Sequence, residues 1–272
     1  MRKISFAVVA AAICVAIYGA DWPTQSGSPH RDGWARAEKA FTKENASDID
    51  LLYKYKADNK SIGRSSLTTP IVSGLLITYL GFKEMLVFAG SADTVYSVDA
   101  DLNRLIWKRQ LEYKADKQPI KAASNVCPGG LTASMAMAGS SSALTFGRRR
   151  PSPRQGARRT PIGGAGFGQL GAYFVVSSDG YLHTLNTSTG GDLIPPVKFV
   201  PPNSRVSSLN VENNIIYAAT SGDCGGNSNA VYAIDLSSDD KKISSFDTHG
   251  SGTAGIGGTT IGADGTVYVQ IA

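Results

Sequence analysis

Residues 85–107, MLVFAGSADTVYSVDADLNRLIW, hold the pattern that decides the fold. Val87–Ala89 has the composition of a short strand, a turn follows at Asp93, and Thr94–Val98 alternates into a second strand. After one more turn, a third apolar run ends at Trp107. The stretch therefore predicts consecutive antiparallel strands joined by tight turns.

The same pattern occurs three more times, at residues 173–194, at 215–243 and from Thr259 onward. The residues that end the second strand of each copy are Asp99, Asn186 and Asp235, spaced 87 and 49 apart. Allowing for an insertion of about 40 residues in the first interval, the period is about 45 to 50 residues, which is typical of a blade of four short strands. The sequence predicts an all-β protein, a β-propeller of which about three and a half blades are present.

The turn after each strand-terminal residue supports this alignment. Four positions further on stand residue types that tolerate a left-handed backbone, namely Asn103, Gly190 and Asp239. Four positions beyond those come large apolar residues, which we expect to pack between adjacent blades: Trp107, Ile194 and Ile243.

These residues resemble the pyrroloquinoline-quinone (PQQ) repeat of quinoprotein-like β-propellers, exported proteins of bacteria. Residues 97–107 follow that repeat with Asn103 in place of its glycine, and the copy at Thr189-Gly190 keeps the turn but loses the Trp. The resemblance covers most of residues 21–138 and 166–272 and concerns structural positions, so it indicates a fold more strongly than a chemistry.

The resemblance also implies how the ring closes. In such propellers the first strand, here Leu51–Lys56, completes the last blade. The fourth copy stops at Ala272, near where its strand-terminal Asp is expected. We therefore expect either a piece of a longer reading frame or closure by another chain, because an open ring would leave strand edges exposed.

The resemblance implies PQQ with Ca²⁺ as cofactors and an alcohol or a sugar as substrate. A divalent cation would polarise the quinone while an acidic residue removes the proton of the alcohol. Asp223 and Asn227 are the residues that could supply oxygen ligands, although a simple turn explains Asp-Cys-Gly-Gly-Asn equally well. Many enzymes of the family carry two adjacent cysteines, and this chain has none. We assign no residue as catalytic and predict no protein-bound metal site.

The first twenty residues are predicted to be a signal peptide. Arg2 and Lys3 precede an apolar stretch from Ile4 to Ala20, which is short for a membrane span. The domain organisation is then a signal peptide (1–20), a lead-in (21–50) and a partial propeller (51–272). The expected location is periplasmic or extracellular, with no stable membrane span after cleavage.

Removal of the signal peptide leaves two cysteines, Cys127 and Cys224, each beside glycines in a predicted loop. A disulfide between them is allowed in an oxidising compartment. Two free thiols are the alternative, and metal ligation is disfavoured because no Cys-x-x-Cys or histidine cluster accompanies them.

A low-complexity stretch of Arg, Gly, Ser and Pro, residues 139–168, interrupts the propeller. It contains six arginines and no acidic residue, so it is interpreted as a solvated loop, with an arm for nucleic acid or an anionic surface as the alternative. Without these arginines, Arg2 and Lys3, the formal charge of +5 becomes −3. The basic composition therefore does not predict a nucleic-acid-binding protein.

The sequence carries no phosphate-binding loop, no Gly-x-Ser-x-Gly and no His-Glu-x-x-His. His183 lies within a predicted strand and is expected to be a satisfied histidine of the core or of a hairpin. The leading hypothesis is an exported PQQ-binding-like propeller, part of a dehydrogenase for alcohols or sugars. The alternative is a non-catalytic propeller scaffold that binds a protein partner in the cell envelope.

Overall fold

A computed structural model describes residues 21–35, 41–59, 67–78, 81–90, 92–111, 124, 126–138 and 171–272. Within these ranges the chain has no α-helix, only two 3-10 helices at Ala46–Asp48 and Cys224–Gly226. No described helix has the length and apolar character needed to cross a bilayer. The predicted signal peptide and the arginine-rich loop lie outside the described residues.

The strands form successive antiparallel sheets, which confirms the prediction of four-stranded blades. Blade 1 has the order β1-β2-β3-β4 and blade 2 the order β5-β6-β7-β8. Their strands are β1 (Ile71–Thr78), β2 (Gly81–Gly90), β3 (Thr94–Asp99), β4 (Arg104–Gln110), β5 (Ala136–Met137), β6 (Ala172–Val176), β7 (Tyr181–Asn186) and β8 (Asp192–Lys198).

Blade 3 has the order β10-β11-β12-β13, with β9 also paired to β11, and blade 4 is described as a two-stranded sheet, β14-β15. The strands are β9 (Arg205–Val206), β10 (Asn210–Glu212), β11 (Ile215–Ser221), β12 (Ala230–Asp235), β13 (Ile243–Asp247), β14 (Thr260–Ile261) and β15 (Val267–Tyr268). Each strand of a complete blade pairs with the next in the sequence, as expected when consecutive strands are joined by tight turns.

Blade 2 is buried on both faces. Tyr173 and Val175 belong to an apolar cluster shared with blade 1, whereas Phe174 and Val176 belong to a cluster shared with blade 3. All four side chains are at most 2% exposed. Because neighbouring side chains of a strand point to opposite faces, this continuous apolar run fills the interfaces with both neighbours.

The strand-terminal residues of the three complete blades make the same turn. The Oδ1 atom of Asp99 accepts the backbone N–H of Asp101 at 3.1 Å, and that of Asn186 accepts the N–H of Ser188 at 2.9 Å. The Oδ1 atom of Asp235 accepts the N–H of Ser237 at 2.8 Å. The repeat therefore keeps Asp or Asn here because a short side chain with an oxygen closes the turn.

Trp107 and Gly190 join blade 1 to blade 2. The indole Nε1 of Trp107 donates to the carbonyl of Thr187 at 3.0 Å, and the ring covers Gly190 so closely that a Cβ there would lie 2.6 Å from a ring carbon. Gly190 also has a φ of 71°, which a residue with a side chain rarely adopts. Trp107 thus packs between adjacent blades.

Two sequence-based expectations about these elements are wrong. The left-handed residue in the third copy is Lys241, not Asp239, because that turn is longer. Ile243 is 41% exposed and does not pack between two complete blades.

The place of Leu51–Lys56 in a last blade stays a prediction, since this segment pairs with no described sheet. Instead, the segment from residue 53 to 59 lies on the outer face of blade 1, where Tyr55 and Phe88 meet edge to face at 6.3 Å.

Candidate functional site

The N-terminal segment, defined as residues 21–33, runs along the first strands of all four blades in chain order. Each of these strands is an edge strand, so its outer backbone groups need partners. The contacts are backbone pairing of Trp22 with Val72, the Met137 N–H to the Pro23 carbonyl, the Thr24 hydroxyl to the Leu209 carbonyl, and the Ile261 N–H to the Pro29 carbonyl. The segment therefore fixes the order of the blades at this edge.

Arg31 is the centre of this contact. Its Nε donates to the Thr259 carbonyl at 3.1 Å, and Nη2 donates to the carbonyls of Ser208 and Leu209. Nη1 donates to the Thr24 hydroxyl at 2.8 Å and to the Gln25 carbonyl. Burial lowers the pKa of Arg31 to about 10. Because all five N–H donors of a guanidinium are then used, Arg31 has no donor left for an anionic ligand.

A cavity of about 540 Å³ adjoins Arg31, between the N-terminal segment and blade 4. Its walls mix backbone and polar groups with a few apolar side chains: Ser26, Arg31, Ala254, Gly257, Gly258, Thr260, Tyr268, Val269 and Gln270. It is large enough for a small molecule. Sequence reasoning missed this cavity and Arg31, because their contacts join residues far apart in the chain.

The structure joins Cys127 and Cys224 by a disulfide, with Cα atoms 5.4 Å apart. Cys127 precedes blade 2, whereas Cys224 lies in the β11–β12 loop of blade 3. The bond therefore links the segment before blade 2 to the β11–β12 loop of blade 3.

Asp223 and Asn227 lie on either side of Cys224 in this loop. The side-chain amide of Asn227 donates to the carbonyls of Pro202 at 3.0 Å and Cys224 at 3.1 Å, so it holds the loop in place. Asp223 is exposed, with a left-handed φ of 46°. Nothing in the structure tests whether these two residues bind a cofactor, and their role stays a prediction.

Among the described residues, no three His, Cys, Asp or Glu side chains come together in a way that could hold a metal ion. Arg31, which lines the cavity, is fully used by protein acceptors. We therefore derive no catalytic step through a quinone.

A cluster of polar side chains, His183, Asp192 and Arg109, connects blades 1 and 2. Nδ1 of His183 lies 3.1 Å from Oδ1 of Asp192, whose other oxygen pairs with Arg109 of blade 1. Burial lowers the pKa of His183 against the opposing effect of Asp192. His183 is a core residue, as the sequence indicated. Its Nδ1 contacts Asp192, whereas its Nε2 is buried without a hydrogen-bond partner among the described residues.

The outer face of blade 3, defined as the side turned towards blade 4, is only partly covered. All five residues of β13 are exposed, with Phe246 at 67%. A cleft of about 370 Å³ lies between this face and blade 4, and its walls are mostly apolar: Tyr217, Val231, Ala233, Ser244, Ser245, Phe246, Val267 and Val269. Tyr268 and Ile271 extend the exposed surface. Contiguous apolar surface of this kind is typical of a binding face.

No protein-family model matches the chain, and no curated protein matches its sequence. Solved structures match its fold along almost its whole length, among them two alcohol dehydrogenases. A quinohaemoprotein alcohol dehydrogenase from Pseudomonas putida HK5 superimposes with a TM-score of 0.57 and 15% identity over 93% of the chain. That from Comamonas testosteroni superimposes with a TM-score of 0.55 and 14% identity over 96%.

The chain spans about a third of these relatives, 34% and 37% of their length. At this level of identity the likeness concerns the fold, and the activity of the relatives does not transfer with it. Together with the face-to-face packing of the blades, it confirms the predicted architecture, which is a β-propeller of the type found in quinohaemoprotein alcohol dehydrogenases.

Proposed function

We propose that the protein is an exported propeller scaffold that binds another protein at the outer face of blade 3. The observation that carries this proposal is the apolar cleft beside Phe246. Its walls are mostly apolar, and an exposed apolar surface of this kind favours a protein partner.

Export is part of the proposal. The N-terminal sequence has the charge and length of a signal peptide, and the disulfide between Cys127 and Cys224 suits an oxidising compartment. The location that fits both is the periplasm or the extracellular space.

A PQQ-dependent dehydrogenase for alcohols or sugars is the second proposal. It is favoured by the fold shared with two quinohaemoprotein alcohol dehydrogenases and by the cavity of about 540 Å³ beside Arg31. PQQ with Ca²⁺ would supply hydride abstraction from the substrate carbon. Asp223 and Asn227 are the proposed oxygen ligands, and further ligands would have to come from outside the described residues.

One experiment separates the two functions. The exported chain is purified, incubated with PQQ and CaCl₂, and assayed for a quinone absorbance change and for dye-linked oxidation of alcohols and aldose sugars. In parallel, a crosslinker is added to the wild type, to Phe246→Asp and to Ile256→Asp in envelope extract. Ile256 is 56% exposed and lies outside the cleft, so it is the matched control.

Scaffold function predicts crosslinked protein partners that Phe246→Asp loses and Ile256→Asp keeps. Equal crosslinking of all three proteins would contradict it. Quinone-dependent turnover would instead establish the enzyme.

A further inference from the structure

We propose that two copies of this chain pair through the outer edge of β13, which gives one continuous sheet across a two-fold axis at Ser245. The contact uses the backbone of the fourth strand of blade 3 and is separate from the cleft of the proposed function. It goes beyond that function, because it assigns a second interface and its occupant.

The two edges of each complete blade have different surroundings. The N-terminal segment covers the first strands, whereas the fourth strands, β4, β8 and β13, end the sheets of blades 1, 2 and 3 on the other side. Among the described strands, none pairs with the outer side of these three. An edge of this kind pairs readily with another chain unless the sequence prevents it.

The outer strands of blades 1 and 2 carry features that prevent such pairing. The register with the preceding strand shifts once along β4 and twice along β8, which disrupts a regular edge. Lys108 and Arg109 place charges on β4. Pro195 and Pro196 remove two backbone N–H groups from β8. The sequence therefore protects these two edges.

The outer strand of blade 3 has none of these features. Its sequence, ISSFD, contains no proline and no basic residue, and its register with β12 is unbroken from Ile243 to Asp247. All five of its residues are exposed. Among the fourth strands of the complete blades that the structure describes, β13 is therefore the one with a regular, unprotected edge.

The hydrogen bonds beside β13 show which of its groups face outwards. The carbonyl of Lys242 accepts the N–H of Asp235 at 3.2 Å. The N–H of Thr248 donates to the carbonyl of Asn229, also at 3.2 Å. Because hydrogen-bonded pairs alternate along an antiparallel ladder, the even-numbered residues of β13 bond to β12. The backbone groups that point to the free edge are those of Ile243, Ser245 and Asp247.

A second copy of the same edge fits these groups. An antiparallel pair centred on Ser245 places Ser245 opposite its own equivalent and Ile243 opposite Asp247. Every outward N–H and C=O group of both strands then has a partner. The small side chain of Ser245 lets the copies approach at the axis, and the two-fold relation closes the contact, which gives a dimer instead of a filament.

The charges at the two ends of β13 favour the antiparallel arrangement. Lys241 and Lys242 precede the strand and Asp247 ends it, and both Lys242 and Asp247 are exposed. In an antiparallel pair the end of one strand lies beside the start of the other, so each Asp247 lies near the lysines of the other copy. Opposite charges across a strand pair are stabilising, whereas a parallel pair would bring like charges together.

The test is the molar mass of the purified, exported chain by light scattering after size exclusion, across a dilution series. We expect a dimer. Ser245→Pro removes one outward N–H and leaves the hydrogen bonds to β12 in place, so it should halve the mass with unchanged circular dichroism. Ser245→Ala keeps that N–H and is the matched control, which should remain a dimer. A wild-type monomer at every concentration, or a dimer in Ser245→Pro, would overturn the inference.

A second variant identifies the contact without changing the backbone. Ser245→Cys places two thiols beside each other at the two-fold axis, because the Cβ atoms of opposite residues in paired strands lie about 5 Å apart. Oxidation with copper phenanthroline should therefore give a covalent dimer on a non-reducing gel. Ser237→Cys, at an exposed position in the β12–β13 loop, is the control and should stay a single chain. Absence of the covalent dimer in Ser245→Cys would contradict pairing about this residue.

Both experiments use the purified chain alone, so their failure is distinct from failure of the proposed function. A monomer in both would overturn only the dimer. Unchanged envelope crosslinks in Phe246→Asp would overturn partner binding at the cleft and leave the dimer in place.

Discussion

The interface between blades 1 and 2 and the outer face of blade 3 are built from the same repeat. The side chains of the first are buried, whereas those of the second are partly exposed. At the first, Trp107 is 9% exposed and hydrogen-bonded to the next blade. At the second, Phe246 is 67% exposed beside a cleft. The difference teaches that a blade becomes a buried structural unit only when a neighbour covers it.

The largest expected effect comes from the disulfide that joins blade 2 to blade 3. Its cysteines are 97 residues apart. Closing a loop of this length is expected to stabilise the fold by about 4 kcal/mol, although strain reduces such gains. The double substitution Cys127→Ser, Cys224→Ser should lower the free energy of unfolding in urea by that amount. Dithiothreitol should destabilise the wild type and leave the double variant unchanged. Equal midpoints for the two proteins would contradict a stabilising bond.

Trp107→Ala should weaken the packing between blades 1 and 2. It removes a buried ring and its hydrogen bond to Thr187, so we expect a loss of about 3 to 4 kcal/mol in urea unfolding. The matched control is Phe41→Ala, since Phe41 is an aromatic residue that is 63% exposed. That control should stay within about 0.5 kcal/mol of the wild type. Similar losses in both variants would show that Trp107 does not join the blades.

Gly190→Ala tests the same contact from the other side. A Cβ at Gly190 would lie 2.6 Å from the Trp107 ring, whereas Gly265, with a similar positive φ of 81°, has nothing within 4 Å. Gly265→Ala therefore measures the backbone cost alone. We expect Gly190→Ala to be less stable than Gly265→Ala by about 1 to 2 kcal/mol, the usual cost of overpacking. Equal unfolding midpoints would argue against close packing of the ring.

The pH dependence of stability should report on His183. Burial lowers its pKa in the folded state, so the unfolded state binds the proton more readily. The stability that depends on His183 should be present above pH about 6.5 and should fall as the pH decreases from there towards the folded pKa. Urea midpoints measured across this range should show the fall, and His183→Gln should reduce it. An unchanged profile in His183→Gln would rule out this histidine as the cause.

Features repeated along the sequence were predictable. The short oxygen-bearing residue at Asp99, Asn186 and Asp235 closes the same turn in each blade, and the spacing from Asp99 to Trp107 indicated a residue that packs between blades. The failures come from unequal turns and unequal surroundings. The turn after Asp235 is longer, which moves its left-handed residue to Lys241. Ile243 is exposed because no complete blade lies beside it.

Contacts between distant segments were not predictable. Arg31 binds the Thr259 carbonyl across 228 positions of sequence. Every residue type has a backbone carbonyl, so the sequence does not reveal which residue accepts this bond. The predicted ligand residues show the reverse case. Asn227 has the right chemistry for a cation, but its amide holds the loop against Pro202, a role that composition alone cannot distinguish.

Native hydrogen exchange of the wild type and Trp107→Ala tests the central claim most directly. The account predicts that the substitution in blade 1 raises exchange both in β4 and in β6 and β7 of blade 2, because Trp107 packs against these strands and joins the two blades. Exchange in β12, which belongs to blade 3, should not change. Faster exchange confined to β4, with blade 2 unaffected, would contradict the claim that each blade becomes a buried unit through its neighbour.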